Sequence, residues 1–297
     1  MPLAHALPQI PGRPRIGSNY ARTALLLGLL TALVVGLAGM IGGTSWAVFA
    51  LLLMAATNLG SWYFSDRIVL AMHRARPLDP GEAPAVHDAV ARLSRRAGIP
   101  EPRVYYVPDP GPNAFATGRN PEHAVVAVTD GLLRILDERE IEAVIGHELS
   151  HVTNRDILIA SVAATMAGAI SLLARFAGWA LMFGRGGGDR RNPLGSLLLI
   201  IVAPIIALLL QLAVSRSREY AADASGARLS GDPEALASAL SKLESVAREV
   251  PMRTADPATS HMYIVAPLTG MAGSIVELFS THPKVEDRIQ RLLAMER

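Results

Sequence analysis

The chain of 297 residues contains no cysteine. Disulfides are therefore excluded, and so is a zinc site built on thiolates; any zinc must be held by His, Asp or Glu. The absence also fits a reducing compartment. Charge is scarce too: Asp, Glu, Lys and Arg make up 18% of the residues against 51% hydrophobic, and the apolar residues come in blocks. Length alone suggests two soluble domains, but this balance favours a membrane protein. The formal net charge is only +2. Membrane topology explains the arginines better than nucleic acid does, and no nucleic-acid partner is expected. The sequence has no internal repeat, and its one low-complexity tract is the Gly/Arg-rich stretch 184–193.

Four apolar runs stand out. Ala24 to Ile41 is uncharged and just long enough to span a bilayer; Gly42-Gly43-Thr44 makes a short turn, and Ser45 to Phe64 forms the second run. Trp46, Trp62 and Tyr63 sit at the ends of that second run, as in an interfacial belt. A cleaved signal peptide is not expected, because a tail with Pro8, Pro11 and Pro14 precedes the first run and a second span follows at once. Ile157 to Ala174 is the third run and Leu194 to Val214 the fourth; Arg175 reads as a snorkelling residue beside Phe176 and Trp179. Arg13, Arg15 and Arg22 before the first hairpin, and Arg67, Arg74 and Arg76 after it, place both flanks in the cytoplasm. Arg185, Arg190 and Arg191 argue the other way for the second hairpin, which could then be only partly inserted.

The chemistry is concentrated in His147-Glu148-Leu149-Ser150-His151, an HExxH pattern. On a helix, residues four apart share a face, so both imidazoles can reach one tetrahedral zinc at about 2.0–2.1 Å. Glu148 lies beside them, able to take a proton from water. Asp137 and Glu140 form a capping box that starts this helix near Glu138. Upstream, Gly81 to Ala97 has helical periodicity, with Ala85, Val86, Ala89, Val90 and Leu93 on one stripe. Val104–Val107 and His123–Val128 read as short strands. Pro251 to Met271 is too long for a simple connection and reads as a mobile, substrate-facing loop.

Two histidines leave zinc short of a third ligand. Glu219 is the candidate, with Asp223 four residues on, placed to accept the free ring N–H of a ligand histidine. Read alone, the same pair also suits a solvated helix turn. Position favours the metal: His151 lies just before the third run and Glu219 just after the fourth. At 1.5 Å per residue both sit roughly 7–9 Å above one membrane face if the two runs cross and return. Polar residues on both sides of HExxH place it outside the hydrocarbon. A second donor for a tetrahedral oxyanion could come from His282 or Arg288. The remaining histidines carry little: His73 and His87 lie in charged helical context, and His261, in the long loop, could approach substrate but reads more simply as a surface histidine.

Together these pieces resemble the HtpX-type membrane zinc metalloproteases, relatives of the CAAX prenyl endopeptidases. The matching segments are Asn113-Ala-Phe-Ala-Thr-Gly118, the HExxH, Asn154-Arg-Asp156, Ser217-Arg-Glu-Tyr-Ala-Ala-Asp223, and Thr281-His-Pro283 with Arg288. The resemblance implies His147, His151 and Glu219 as ligands of one zinc and Glu148 as general base. It also implies an ATP-independent endopeptidase of the bacterial inner membrane with a cytoplasmic active site, acting on unfolded or misassembled membrane proteins. An edge strand at Asn113, Ala114, Phe115 and Ala116 would bind them in extended form. The expected fold is α+β and mainly helical, with four transmembrane helices and a zincin-like domain carrying a small sheet. Its expected divisions are a tail (1–21), a hairpin (22–64), a first protease half (65–156), a second hairpin (157–214) and a second half (215–297). Two other readings remain: a CAAX prenyl-protein endopeptidase, and an inactive membrane scaffold or transport component.

Overall fold

The computed structural model describes residues 16–168, 216–254, 259–265 and 283–296. Its helices in chain order are α1 (Ile16–Tyr63), α2 (Ser65–Met72), α3 (Pro84–Ala97), α4 (Asp130–Ile135), α5 (Glu138–Thr153), α6 (Asp156–Gly168), α7 (Arg216–Ser230), α8 (Pro233–Glu249) and α9 (Val285–Leu293). The strands are β1 (Arg76–Pro77), β2 (Arg103–Val107), β3 (Ala114–Thr117) and β4 (Val125–Thr129).

α1 is broken at Gly43, where φ is 71° and ψ −164°. A side chain with a Cβ is disfavoured there, so the chain reverses at a glycine. The two arms then meet: Asn58 Nδ2 donates to Thr31 Oγ1 at 3.0 Å, and Leu30 and Met54 share an apolar cluster with Leu158, Val162 and Met166 of α6. The two arms form a helical hairpin, and α6 packs against it. Among the described residues, only Gly42–Tyr63 is a helix long and apolar enough to cross a membrane; Leu27–Met40 and α6 are apolar but shorter. The fourth run, Arg175 and the 184–193 stretch lie outside the described residues.

The sheet runs β1-β2-β4-β3, with β2 and β4 parallel and the other pairs antiparallel. β3 and β4 are buried on both faces, their alternate side chains entering two different clusters. Val104, Val126, Val128, Ala114 and Ala116 join α3, α5 and α8 in the main core. On the opposite face Val107, Phe115, Val125 and Ala127 pack with Val69 and Leu70 of α2 and with Met252, Met262 and Tyr263. This arrangement leaves β3 at one edge of the sheet, next to α5.

The stripe on α3 holds at Val86, Ala89, Val90 and Leu93, whereas Ala85 is only half-buried. His123 belongs to a 3₁₀ turn before β4 rather than to the strand. The segment after α8 is no free loop where it is described: Met252, Thr259 and His261 to Val265 are buried.

Candidate metal centre

α5 begins as its residues dictate. Asp137 accepts from Glu140 N at 2.9 Å, and Glu140 reaches back to Asp137 N at 3.0 Å, completing the capping box. The helix runs to Thr153 and stops at Asn154, after which Arg155 takes φ 58°. The third apolar run therefore does not continue straight from the HExxH helix. The break lets Asp156, the first residue of α6, turn back onto the site.

α7 crosses α5 in backbone contact. A Cβ on Gly226 would fall 2.6 Å from His147 N and 2.7 Å from its Cα, and one on Gly146 would fall 2.9 Å from Gly226 O. Two glycines thus bring the helices close enough for the side chain of Glu219 to reach those of His147 and His151. Gly226→Ala should force the helices apart, lowering stability by about 2–3 kcal/mol and reducing metal binding together; thermal melts and metal titration on the same preparation check it.

His147 Nε2 and His151 Nε2 are 3.2 Å apart, and the two carboxylate oxygens of Glu219 lie 3.8 Å from one or the other. Tetrahedral bonds near 2.05 Å set donor atoms roughly 3.3 Å apart. The three side chains fit one zinc-sized ion with little adjustment, and among the described residues they are the one group of acidic and histidine side chains so arranged. The far nitrogens each lie close to a carboxylate, His147 Nδ1 at ion-pair distance but off hydrogen-bond angle. His147 Nδ1 is 2.9 Å from Asp223 Oδ1, and His151 Nδ1 is 3.3 Å from Asp156 Oδ2. Each ring is thereby fixed with Nε2 facing the centre. The sequence points to Asp223 as a partner of a ligand ring; Asp156 stands there in a matching segment and a polar flank, with no role assigned.

Arg288 differs from its sequence-based assignment. Buried behind the site, it donates from Nε and Nη2 to both oxygens of Asp223 at 2.8 and 2.6 Å, and from Nη1 to Ile264 O at 2.6 Å. It holds Asp223, which holds His147, rather than facing a reacting carbonyl. Burial alone would raise the Asp223 pKa, but Arg288 and His147 hold it below the usual carboxylate range. His282 lies outside the described residues.

Glu148 is buried at the centre. Desolvation pushes its pKa up, partly opposed by the two histidines and by the nearby Ala116 N–H. For His151, burial works against the charged form, but Asp156, Glu219 and Glu148 outweigh it and push the pKa up to about 9. The metal-free site therefore carries a proton on His151 at neutral pH, which a divalent ion must displace. Metal affinity should rise about tenfold per pH unit from about pH 7 and level off above about pH 9, as read by competitive zinc titration. Because this pKa is raised on folding, the stability it gives the metal-free chain is complete below 6.5 and lost as pH climbs through about 9.

The pocket is completed by Ala116 of β3, Ile157 and Ala160 of α6, Arg218, and His261 to Ile264. His261, expected at the surface, is buried against Ala160 O at 3.0 Å. Asn113 serves as an anchor: its Oδ1 accepts from Ala114 N at 2.8 Å and Ile264 N at 3.0 Å, and its Nδ2 lies 3.4 Å from Met252 Sδ.

Comparison with known proteins agrees with this centre. The model of peptidase family M48 matches residues 80–296. The chain belongs to peptidase family M48. This M48 peptidase is 50% identical to a protease HtpX homolog of Syntrophobacter fumaroxidans over 285 residues, covering 94% of this chain and all of the relative. It is 53% identical to the protease HtpX homolog of Pyrococcus furiosus over 281 residues, covering 93% and 96%. The crystal structure of S. mikatae Ste24p shares its fold, with a TM-score of 0.50 and 17% identity; the match covers 93% of this chain and 64% of that structure. The M48 peptidase is a metalloendopeptidase, which sets aside the reading as an inactive scaffold.

Proposed function

We propose that this peptidase is a zinc-dependent endopeptidase seated at a membrane, cutting unfolded or misassembled membrane proteins. The observation that carries the reading is the meeting of His147, His151 and Glu219 from two crossing helices, with Glu148 beside them but outside the ligand set. Zinc, when bound, supplies the Lewis acidity that polarises a scissile carbonyl and acidifies water. Glu148 takes a proton from the attacking water and delivers it to the leaving amine, a task suited to a carboxylate whose pKa burial has raised. Asp223, Asp156 and Arg288 keep the two imidazoles oriented. His282 is the proposed oxyanion donor.

Substrate binds in extended form along β3, the edge strand whose Ala116 borders the pocket. Main-chain pairing on a sheet edge recognises any unfolded segment, which suits a quality-control enzyme. The membrane seat rests on Gly42–Tyr63, a helix with large apolar side chains such as Trp46, Phe49 and Leu52 largely exposed. The arginine pattern supports a cytoplasmic active site at a bacterial plasma membrane, with the third and fourth apolar runs as a second hairpin. Detergent-purified protein should cleave casein, lose that activity to a chelator, and regain it with zinc. Cleavage that survives complete metal removal would overturn the proposal.

A further inference from the structure

β3 is covered. Asn113 O accepts from Thr129 N, so the antiparallel ladder turns residues 113, 115 and 117 toward β4 and aims the N–H groups of Ala114 and Ala116 outward. Those two groups are what an added strand would meet. Ala114 N–H already donates to Asn113 Oδ1, and Ala116 N–H faces the Glu148 carboxylate and favours its charged form. None of Ala114 to Thr117 is more than 6% exposed. The segment Thr259–Val265 contributes the cover: Ile264 packs in the same cluster as Ala114 and Ala116, and the Tyr263 and Phe115 rings meet edge-on at 6.2 Å.

Ile264 is gripped at both backbone ends, its N–H by Asn113 Oδ1 and its carbonyl by Arg288 Nη1. Tyr263 is secured by a directional chain. His73 Nδ1 lies 2.8 Å from Val69 O, a carbonyl that only accepts, so Nδ1 carries the proton. In the neutral ring Nε2 then accepts from the Tyr263 hydroxyl at 2.6 Å, and that oxygen accepts from Thr259 Oγ1 at 2.9 Å. All three side chains are buried, and His73 caps α2, which follows directly on the apolar hairpin.

We propose that Thr259–Val265 is a built-in cover over the substrate strand, and that the Thr259–Tyr263–His73 chain is the latch holding it shut. The inference rests on reading β3 as the strand that binds substrate. A polypeptide reaches β3 after the latch parts and the cover lifts, which restrains cleavage of folded neighbours and of other copies of the chain. The latch joins the cover to the helix that continues from the hairpin, so movement there bears on access.

Tyr263→Phe removes the hydroxyl and both of its hydrogen bonds but keeps the ring on Phe115. In the full chain in detergent with chelator, hydrogen exchange at Ala114 to Thr117 should speed up about tenfold, with no change in α3. With zinc restored, kcat/KM on casein should rise about five- to tenfold, mainly through a lower KM; Thr259→Ala should move both readouts the same way by less. Unchanged exchange at β3, or a lower kcat at unchanged KM, would overturn the latch. Faster exchange in a chain whose wild type cleaves nothing would uphold the cover and count against the protease reading instead.

Discussion

Glu148→Gln is expected to lower peptide-bond cleavage by about 10³-fold while metal content stays at the wild-type level. Glu148 is buried, borders the pocket with both imidazoles, and stands outside the group of three donors. Gln has nearly the same shape and volume, so the ligand geometry is preserved. What it cannot do is hold the proton that water must give up and the departing amine must receive. Casein cleavage and metal analysis on one preparation separate the two effects. A Glu148→Gln protein that has also lost its metal would mean that the carboxylate is structural.

Arg288→Met is expected to cost about 3–5 kcal/mol of stability, because it leaves the Asp223 carboxylate buried without its cation. Two consequences should appear together. Loss of the bidentate bond frees Asp223, and with it the orientation of His147, so metal affinity should fall as well. The Ile264 carbonyl loses its donor at the same time. Denaturant unfolding and zinc titration both read this variant. A fall in kcat alone, with stability and metal affinity intact, would return Arg288 to the role of oxyanion donor.

Local signals were legible in the sequence because their partners lie within one helical turn. The capping box at Asp137 and Glu140, the i, i+4 histidines and the apolar stripe of α3 are all of this kind. Glu219 was found because a metal needs a third donor, and Asp223 because a ligand ring needs a partner. Contacts whose direction depends on packing were not legible. Arg288 has a charge that suits an oxyanion equally well, and only the fold turns it toward Asp223. His73 and Tyr263 are 190 residues apart, so nothing local marks either as more than a surface or loop residue. The close crossing at Gly146 and Gly226 was equally hidden, since a glycine inside a helix reads as a weakness until another backbone is found against it. Hydropathy indicated four apolar runs, but it could not show that the chain breaks at Arg155, between the HExxH helix and the third run.

The central claim is that one ion is shared by two imidazoles of α5 and one carboxylate of α7. Metal content of the purified chain, compared with Glu219→Gln, tests it most directly. About one zinc per chain in the wild type, falling steeply in the variant while the fold is retained, is the expected result. Equal zinc in both proteins would contradict it.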